Sequence, residues 1–287
     1  MRTAIKYTIA ALSLAVVSAW GDGGGVTTVV TSSRPQNTIT YPLLPTPSGS
    51  SCAGVLAADV LGEMMFETSH PINAKPWGCL IVDASKMQPV LDGYQSVRFE
   101  VRSDDCSSSG FNDCVNDRSR HEIHESGIGP TQGQIITWEE KIFIPSQPRF
   151  RPKGRNVMFL SQINFSDKDN YGTIAYIEVA QDGSLMIRTH VGLTFNILNQ
   201  YLVSQNPVDR WVKFKFQVKS TSQPDGYLKV YVDDQLLVDE TRQTLPTPTS
   251  VNRLKIGIYN SFKSRATESY DTQIIYYDGL SKVVKKF

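Results

Sequence analysis

The chain has 287 residues, 40% of them hydrophobic and 20% charged, and its 29 basic residues nearly balance 28 acidic ones. Such a composition is globular, and the length suits one large all-β domain or two small ones, of which one is expected. A formal charge of +1 leaves no basic footprint for nucleic acid and no basic helix for a membrane surface, so neither is expected as a partner.

The first residues carry Arg2 and Lys6 ahead of an apolar run over residues 7–19 that is too short to cross a bilayer as a helix. It reads as a signal peptide over residues 1–19, with a small-residue cleavage site at Val17-Ser18-Ala19. "LSLAVVSAW" before "GDGGG" also resembles a bacterial lipoprotein signal, but Trp20 stands where the lipid-bearing cysteine would be. With no thiol to acylate, the expectation is a soluble exported monomer, secreted or periplasmic. Residues 20–51 are rich in Gly, Ser, Thr and Pro without a sustained apolar period, and read as a flexible linker. The folded domain is expected over residues 52–287.

Four cysteines, Cys52, Cys79, Cys106 and Cys114, in an exported chain imply two disulfides with three possible connectivities. Cys106 with Cys114 closes a short Ser/Gly/Asn loop, which leaves Cys52 with Cys79. Their spacings match no usual zinc pattern. The acidic loops at residues 103–105, 112–117 and 166–170 offer Asp and Asn oxygens for a structural calcium, although none has EF-hand spacing.

One helix is expected, over residues 55–66; the rest reads as strands. "RSRHEIHESG", residues 118–127, holds two of the four histidines beside two arginines and two glutamates. If extended, it places Arg118, Arg120, Glu122 and His124 on one face and His121 with Ile123 on the core side. From Gln134 onward, short alternating runs separated by turn signals follow the pattern of a β-sandwich or jelly roll. In "FLSQINF", Gln162 and Asn164 flank an inward Ile163. "GSLMIRTHV" supplies Arg188 and His190. In "WVKFKFQV", Val212, Phe214, Phe216 and Val218 face inward, and "YLKVYVDDQLLVDE" reads as a hairpin turning at Asp233-Asp234. "RLKIGIYNS" puts Leu254, Ile256 and Ile258 inward, with Lys255, Gly257 and Tyr259 opposite; "TQIIYYDGL" closes the series. If three of these strands are neighbours, an Arg, a Glu, a His, two amides, a Lys and a Tyr meet over one patch.

Arg120-His121-Glu122-Ile123, Gln162-Ile163-Asn164 and Leu254-Lys255-Ile256-Gly257-Ile258-Tyr259-Asn260 resemble, in order and strand context, the three signatures of jelly-roll polysaccharide lyases, best known in alginate lyases. The run from Asp209 to Asp239 is similar to heparin lyase-like members. The resemblance extends from about Ser96 to the C-terminus and implies a concanavalin A-like sandwich of two antiparallel sheets with a concave groove for an anionic polysaccharide.

That family cleaves uronic-acid polymers by β-elimination, a reaction needing no cofactor. The resemblance implies that Arg120, Gln162 and Asn164 stabilise charge growing on the sugar carboxylate. It likewise implies that Tyr259 is suited to donating a proton to the leaving oxygen, a task that fits a phenol, whose reference pKa is about 10. Glu122, Lys255, Arg188, His190 and Arg118 are expected to contact substrate, and Gly257 to let the sugar approach the sheet. Asn164 replaces the histidine of the family's Gln-Ile-His signature, which leaves the base open among His124, His190 and Tyr259. A non-catalytic lectin-like sandwich is the rival reading. Hydrolysis needs two carboxylates across the bond, and "EIHES" has His124 and Ser126 where further acids would stand.

Overall fold

Where apolar and polar residues alternate, the backbone is extended and one face is covered. The outer-sheet segment Trp211–Ser220 shows this residue by residue, every second side chain being buried. The computed structural model describes residues 50–52, 64, 66–69, 75–102, 105–106, 112–148, 157–169, 171–190, 196–265 and 272–287. The strands are β1 (Ser50–Ser51), β2 (Phe66–Ser69), β3 (Cys79–Asp83), β4 (Gln95–Val101), β5 (Arg118–Glu125), β6 (Gln134–Phe143), β7 (Val157–Ser166) and β8 (Tyr171–Val179). They continue as β9 (Leu185–His190), β10 (Ile197–Ser204), β11 (Trp211–Ser220), β12 (Tyr227–Val232), β13 (Gln235–Thr241), β14 (Val251–Ser261) and β15 (Gln273–Lys286).

They form two antiparallel sheets in a jelly-roll sandwich. One has the order β1-β3-β4-β15-β6-β11-β12-β13, the other β10-β9-β8-β7-β14-β5-β2. Chain neighbours are mostly split between distant positions, so β5, β7 and β14 lie side by side although more than a hundred residues separate the first from the last. Between the sheets lies one apolar core that includes Phe99, Ile123, Trp138, Leu160, Ile163, Phe214, Phe216, Leu254, Ile256, Ile258 and Tyr277. The hairpin between β12 and β13 turns at Asp233 and Asp234, with φ of 47° and 66°, the twist that tight hairpins favour.

Both disulfides are formed as paired from the sequence, Cys52 with Cys79 and Cys106 with Cys114. Two expectations change. The linker expected to reach residue 51 is shorter, since Ser50 and Ser51 pair with Ile81 and Leu80, where the chain beside the Cys52–Cys79 bridge is held against the edge of β3. The expected helix over residues 55–66 ends in a residue, Phe66, that opens a strand instead; residues 55–63 and 65 lie outside the described residues, as do the signal peptide and the linker before Ser50. Among the described residues the only helical pieces are 3-10 turns at Ala84–Lys86 and Lys263–Arg265, and no helix is long and apolar enough to cross a membrane.

Candidate active site

Most strands of the seven-stranded sheet are buried on both faces. One face meets the core. On the other, polar side chains cover one another. There the ladder sets Lys255 between His124 of β5 and Gln162 of β7, Gly257 opposite Glu122, and Tyr259 between Arg120 and Phe159.

At the centre is Glu122, whose side chain is buried. Its Oε1 accepts a hydrogen bond from Gln162 Nε2 at 2.7 Å, and its Oε2 lies 3.5 Å from Arg120 Nη1 and 3.7 Å from Lys255 Nζ. Glu122 therefore lies beneath the donors rather than beside a ligand. Burial acts to strip the proton from Lys255, but the Glu122 carboxylate, aided by Tyr171, overcomes it and holds the amine above its ordinary pKa. Arg120 behaves alike, burial being outweighed by Glu122 and Asp113. Its Nε and Nη2 donate to the two oxygens of Asp113 at 3.0 and 2.7 Å, a forked pair on a fully buried carboxylate. The guanidinium also lies 4.8 Å from the Tyr259 ring centroid.

The two amides differ. Gln162 belongs to the Glu122 cluster, whereas Asn164 donates to Tyr171 Oη at 2.9 Å and accepts from Thr173 Oγ1 at 2.8 Å. Arg188 and His190 stand on β9, three strands from β14, or about 14 Å at the usual strand spacing. Arg188 pairs with Glu178, and His190 Nδ1 lies 2.7 Å from the Thr173 carbonyl oxygen. Burial lowers the His190 pKa, the Thr173 carbonyl opposes this, and the Arg242 charge adds to it. Arg118, at the start of β5, stacks on Phe262 with 4.4 Å from guanidinium carbon to ring centroid. His121, on the core side, has its Nε2 3.1 Å from Asp105 Oδ2.

Gly257 has a different purpose from the one read in the sequence. Its φ is +134°, which L side chains rarely adopt, and a Cβ would lie 2.2 Å from the His121 carbonyl oxygen of β5. The glycine is required by the neighbouring strand, not by a ring approaching from the groove.

Sequence parity also missed residues. Phe159 shares parity with inward Ile163, yet its ring lies on the polar face, 5.3 Å from Tyr259 and 4.4 Å from Tyr176 between centroids. The cause is a β-bulge. Between Phe159 and Gln162, β7 uses three steps where β8 uses two, so Leu160 and Ser161 both turn inward. Asp113, in an acidic loop whose composition suits calcium, instead holds Arg120; its position beside Cys114, whose bridge ties that loop to the start of β5, is the available signal. Asp105 is likewise used, by His121 and Trp77, and Asp167 by Ser250 and Thr247. Among the described residues no three His, Cys, Asp or Glu side chains gather to hold a metal.

A family model described as a polysaccharide lyase matches residues 81–281, which contain every strand of the seven-stranded sheet except β2. The search of curated proteins gives no match. Among solved structures, the fold resembles an endo-β-1,4-glucuronan lyase from the fungus Trichoderma reesei, with 16% identity, a TM-score of 0.53, and coverage of 71% of this chain and 86% of that one. It also resembles the alginate lyase AlgAT5 of polysaccharide lyase family 7, with 15% identity, a TM-score of 0.54, and coverage of 81% and 100%. At these identities the likeness is one of fold.

Proposed function

The chain belongs to the polysaccharide lyase family, and we propose that its polymer carries uronic acids and is opened by β-elimination over the Arg120–Glu122–Gln162–Lys255–Tyr259 cluster. The observation that carries this reading is the ladder register, which puts a tyrosine beside an arginine and within the same patch as a lysine and an amide.

In this reading the uronate carboxylate sits over Gln162 and Asn164, with the charges of Arg120 and Lys255 close by. Those charges are kept in place by Asp113 and Glu122, which we assign to holding the donors rather than to touching sugar. As C5 loses its proton, negative charge spreads onto the carboxylate, and fixed cations and amide donors stabilise it at little reorganisation cost. Tyr259 takes the C5 proton as the phenolate and returns it to O4 as the C4–O4 bond breaks and the C4–C5 double bond forms. One group serves both steps because, of the three candidate bases, only Tyr259 stands beside Arg120. His124 stands opposite Lys255, four residues from Arg120 along β5, and His190 lies on β9, three strands from the Tyr259 strand β14.

Polymer choice follows from charge. Arg120 faces Asp113, Lys255 faces Glu122, and Arg188 faces Glu178. A groove whose cations are already matched suits a chain with one carboxylate per sugar, as in alginate or glucuronan, better than a heavily sulfated one. The lyases that share the fold are named for those two polymers. Export fits two disulfides, which persist in oxidising compartments.

The test is ultraviolet absorbance during incubation with alginate, glucuronan, hyaluronan, chondroitin sulfate and heparin. Elimination leaves a conjugated double bond that absorbs. A rise on alginate or glucuronan supports the reading; a rise only on a sulfated polymer overturns the polymer assignment, and a flat trace on all five overturns uronate elimination.

A further inference from the structure

Tyr277 belongs to β15, in the sheet opposite the cluster, yet its hydroxyl crosses the core to the back of the catalytic strands. The side chain is fully buried, with its ring edge-on to Phe99 at 5.5 Å between centroids. Its Oη lies 2.9 Å from the Leu160 carbonyl oxygen and 3.1 Å from that of Gly257, and it accepts from the Gly257 N–H at 3.3 Å and from Ser161 Oγ at 3.4 Å. A phenol has one proton and two lone pairs, so the proton is shared between the two carbonyl oxygens while the lone pairs take the Gly257 N–H and the Ser161 hydroxyl, which uses its whole capacity.

The partners are not ordinary sheet groups. Leu160 and Ser161 are the residues by which β7 gains a step on β8, and between Ile256 and Tyr259 strand β14 gains a step on β7. A bulge takes main-chain donors and acceptors out of the ladder, and in an apolar core each must find another partner. One hydroxyl serves both irregularities. What they accomplish lies on the other face. The β7 bulge turns Phe159 out to contact Tyr259, and the β14 bulge spaces Tyr259 from Lys255.

We infer that Tyr277 is a positioning residue of the reaction proposed above, holding the paired bulges of β7 and β14 so that Tyr259 and Gln162 keep their places over the groove. It touches no substrate. Its contribution is the spacing of the groups that do, and a misplacement of about 1 Å can cost roughly a hundredfold in rate.

Tyr277→Phe removes the oxygen and leaves the ring against Phe99. Phe99→Leu is the control, because it loosens the same ring without reaching the bulges. Steady-state kinetics on the polymer that the wild type cleaves should show kcat for Tyr277→Phe reduced tenfold or more with KM changed less than twofold. Phe99→Leu should lose melting temperature while keeping kcat within threefold. Exchange of the Gly257 amide, followed by nuclear magnetic resonance with glycine-selective 15N labelling, should quicken at least tenfold in Tyr277→Phe relative to Phe99→Leu. Wild-type kcat in Tyr277→Phe, or equal kcat losses in both variants, overturns the inference. If the wild type cleaves no uronate polymer, the reaction proposed above fails by itself, and the Gly257 amide still decides the role of the hydroxyl: unchanged exchange overturns it.

Discussion

Tyr259 and Arg120 stand directly opposite each other in the β14–β5 ladder, and the guanidinium carbon lies 4.8 Å from the ring centroid. The arginine is fixed from below by Asp113, so the tyrosine ring has a rigid neighbour on one side and Phe159 on the other. In the proposed reaction the Tyr259 hydroxyl handles both proton transfers. Tyr259→Phe should therefore lower kcat by about a hundredfold or more while KM stays within a few-fold, since a proton-transferring group typically contributes about 10²–10⁴. Retention of a tenth of the wild-type rate in absorbance assays would remove Tyr259 from the chemistry.

Asp113 and Arg120 form a buried forked pair, and removing Asp113 leaves the guanidinium only its longer contact with Glu122 at 3.5 Å. Asp113→Ala should cost about 3–5 kcal/mol in urea unfolding. By contrast Asp225→Ala, which removes the exposed partner of Lys219, should leave the unfolding midpoint unchanged within error. Equal effects from the two substitutions would show that the fork at Arg120 contributes no more than a surface pair.

Glu140 gives stability a dependence on pH. It faces the core, where burial pushes its carboxyl up to about 8, with the Ser161 hydroxyl beside it acting only weakly in the other direction. The unfolded chain releases this proton near its model value of 4.5. Between those values the folded state binds more protons than the unfolded one, so stability falls as pH rises from about 4.5 to about 8 and levels off above. Glu140→Gln should remove a few kcal/mol of that decline. Urea midpoints for wild type and variant, measured from pH 5 to 9, should converge at the acid end and separate toward pH 8; parallel curves would mean that Glu140 titrates normally.

Gly257→Ala combines a φ of +134° with a methyl 2.2 Å from the His121 carbonyl oxygen. The expected loss is about 2 kcal/mol or more, with activity reduced because β5 and β14 must separate at Glu122, two residues from where Arg120 meets Tyr259. An alanine variant with wild-type melting temperature and rate would show that the strands yield without cost.

Much of this molecule was legible because strand parity is a local property. Side chains alternate every residue, so Arg120, Glu122 and His124, Gln162 and Asn164, and Lys255 and Tyr259 could be assigned to outward faces from spacing alone. The disulfide pairing followed from loop length, and the Asp233-Asp234 hairpin from its turn residues. Parity failed at Phe159 because a bulge inserts a residue without a mark in the sequence, and the partner hydroxyl that accommodates it, on Tyr277, lies 117 residues further along the chain.

By itself, then, the sequence determined the strand character of most of the chain from Arg118 onward, the alternation of buried and outward faces away from bulges, and the types of side chain presented outward. Only the tertiary structure decided which of those side chains share a site. Strand order depends on pairings across the whole chain, and these set Arg120 beside Tyr259 while leaving His190 three strands away. It also decided which charges are free to meet a ligand, because burial and pairing arise only when separate segments pack. That is why Glu122 and Asp113, which look like surface acids in a polar stretch, are buried supports for the cations above them.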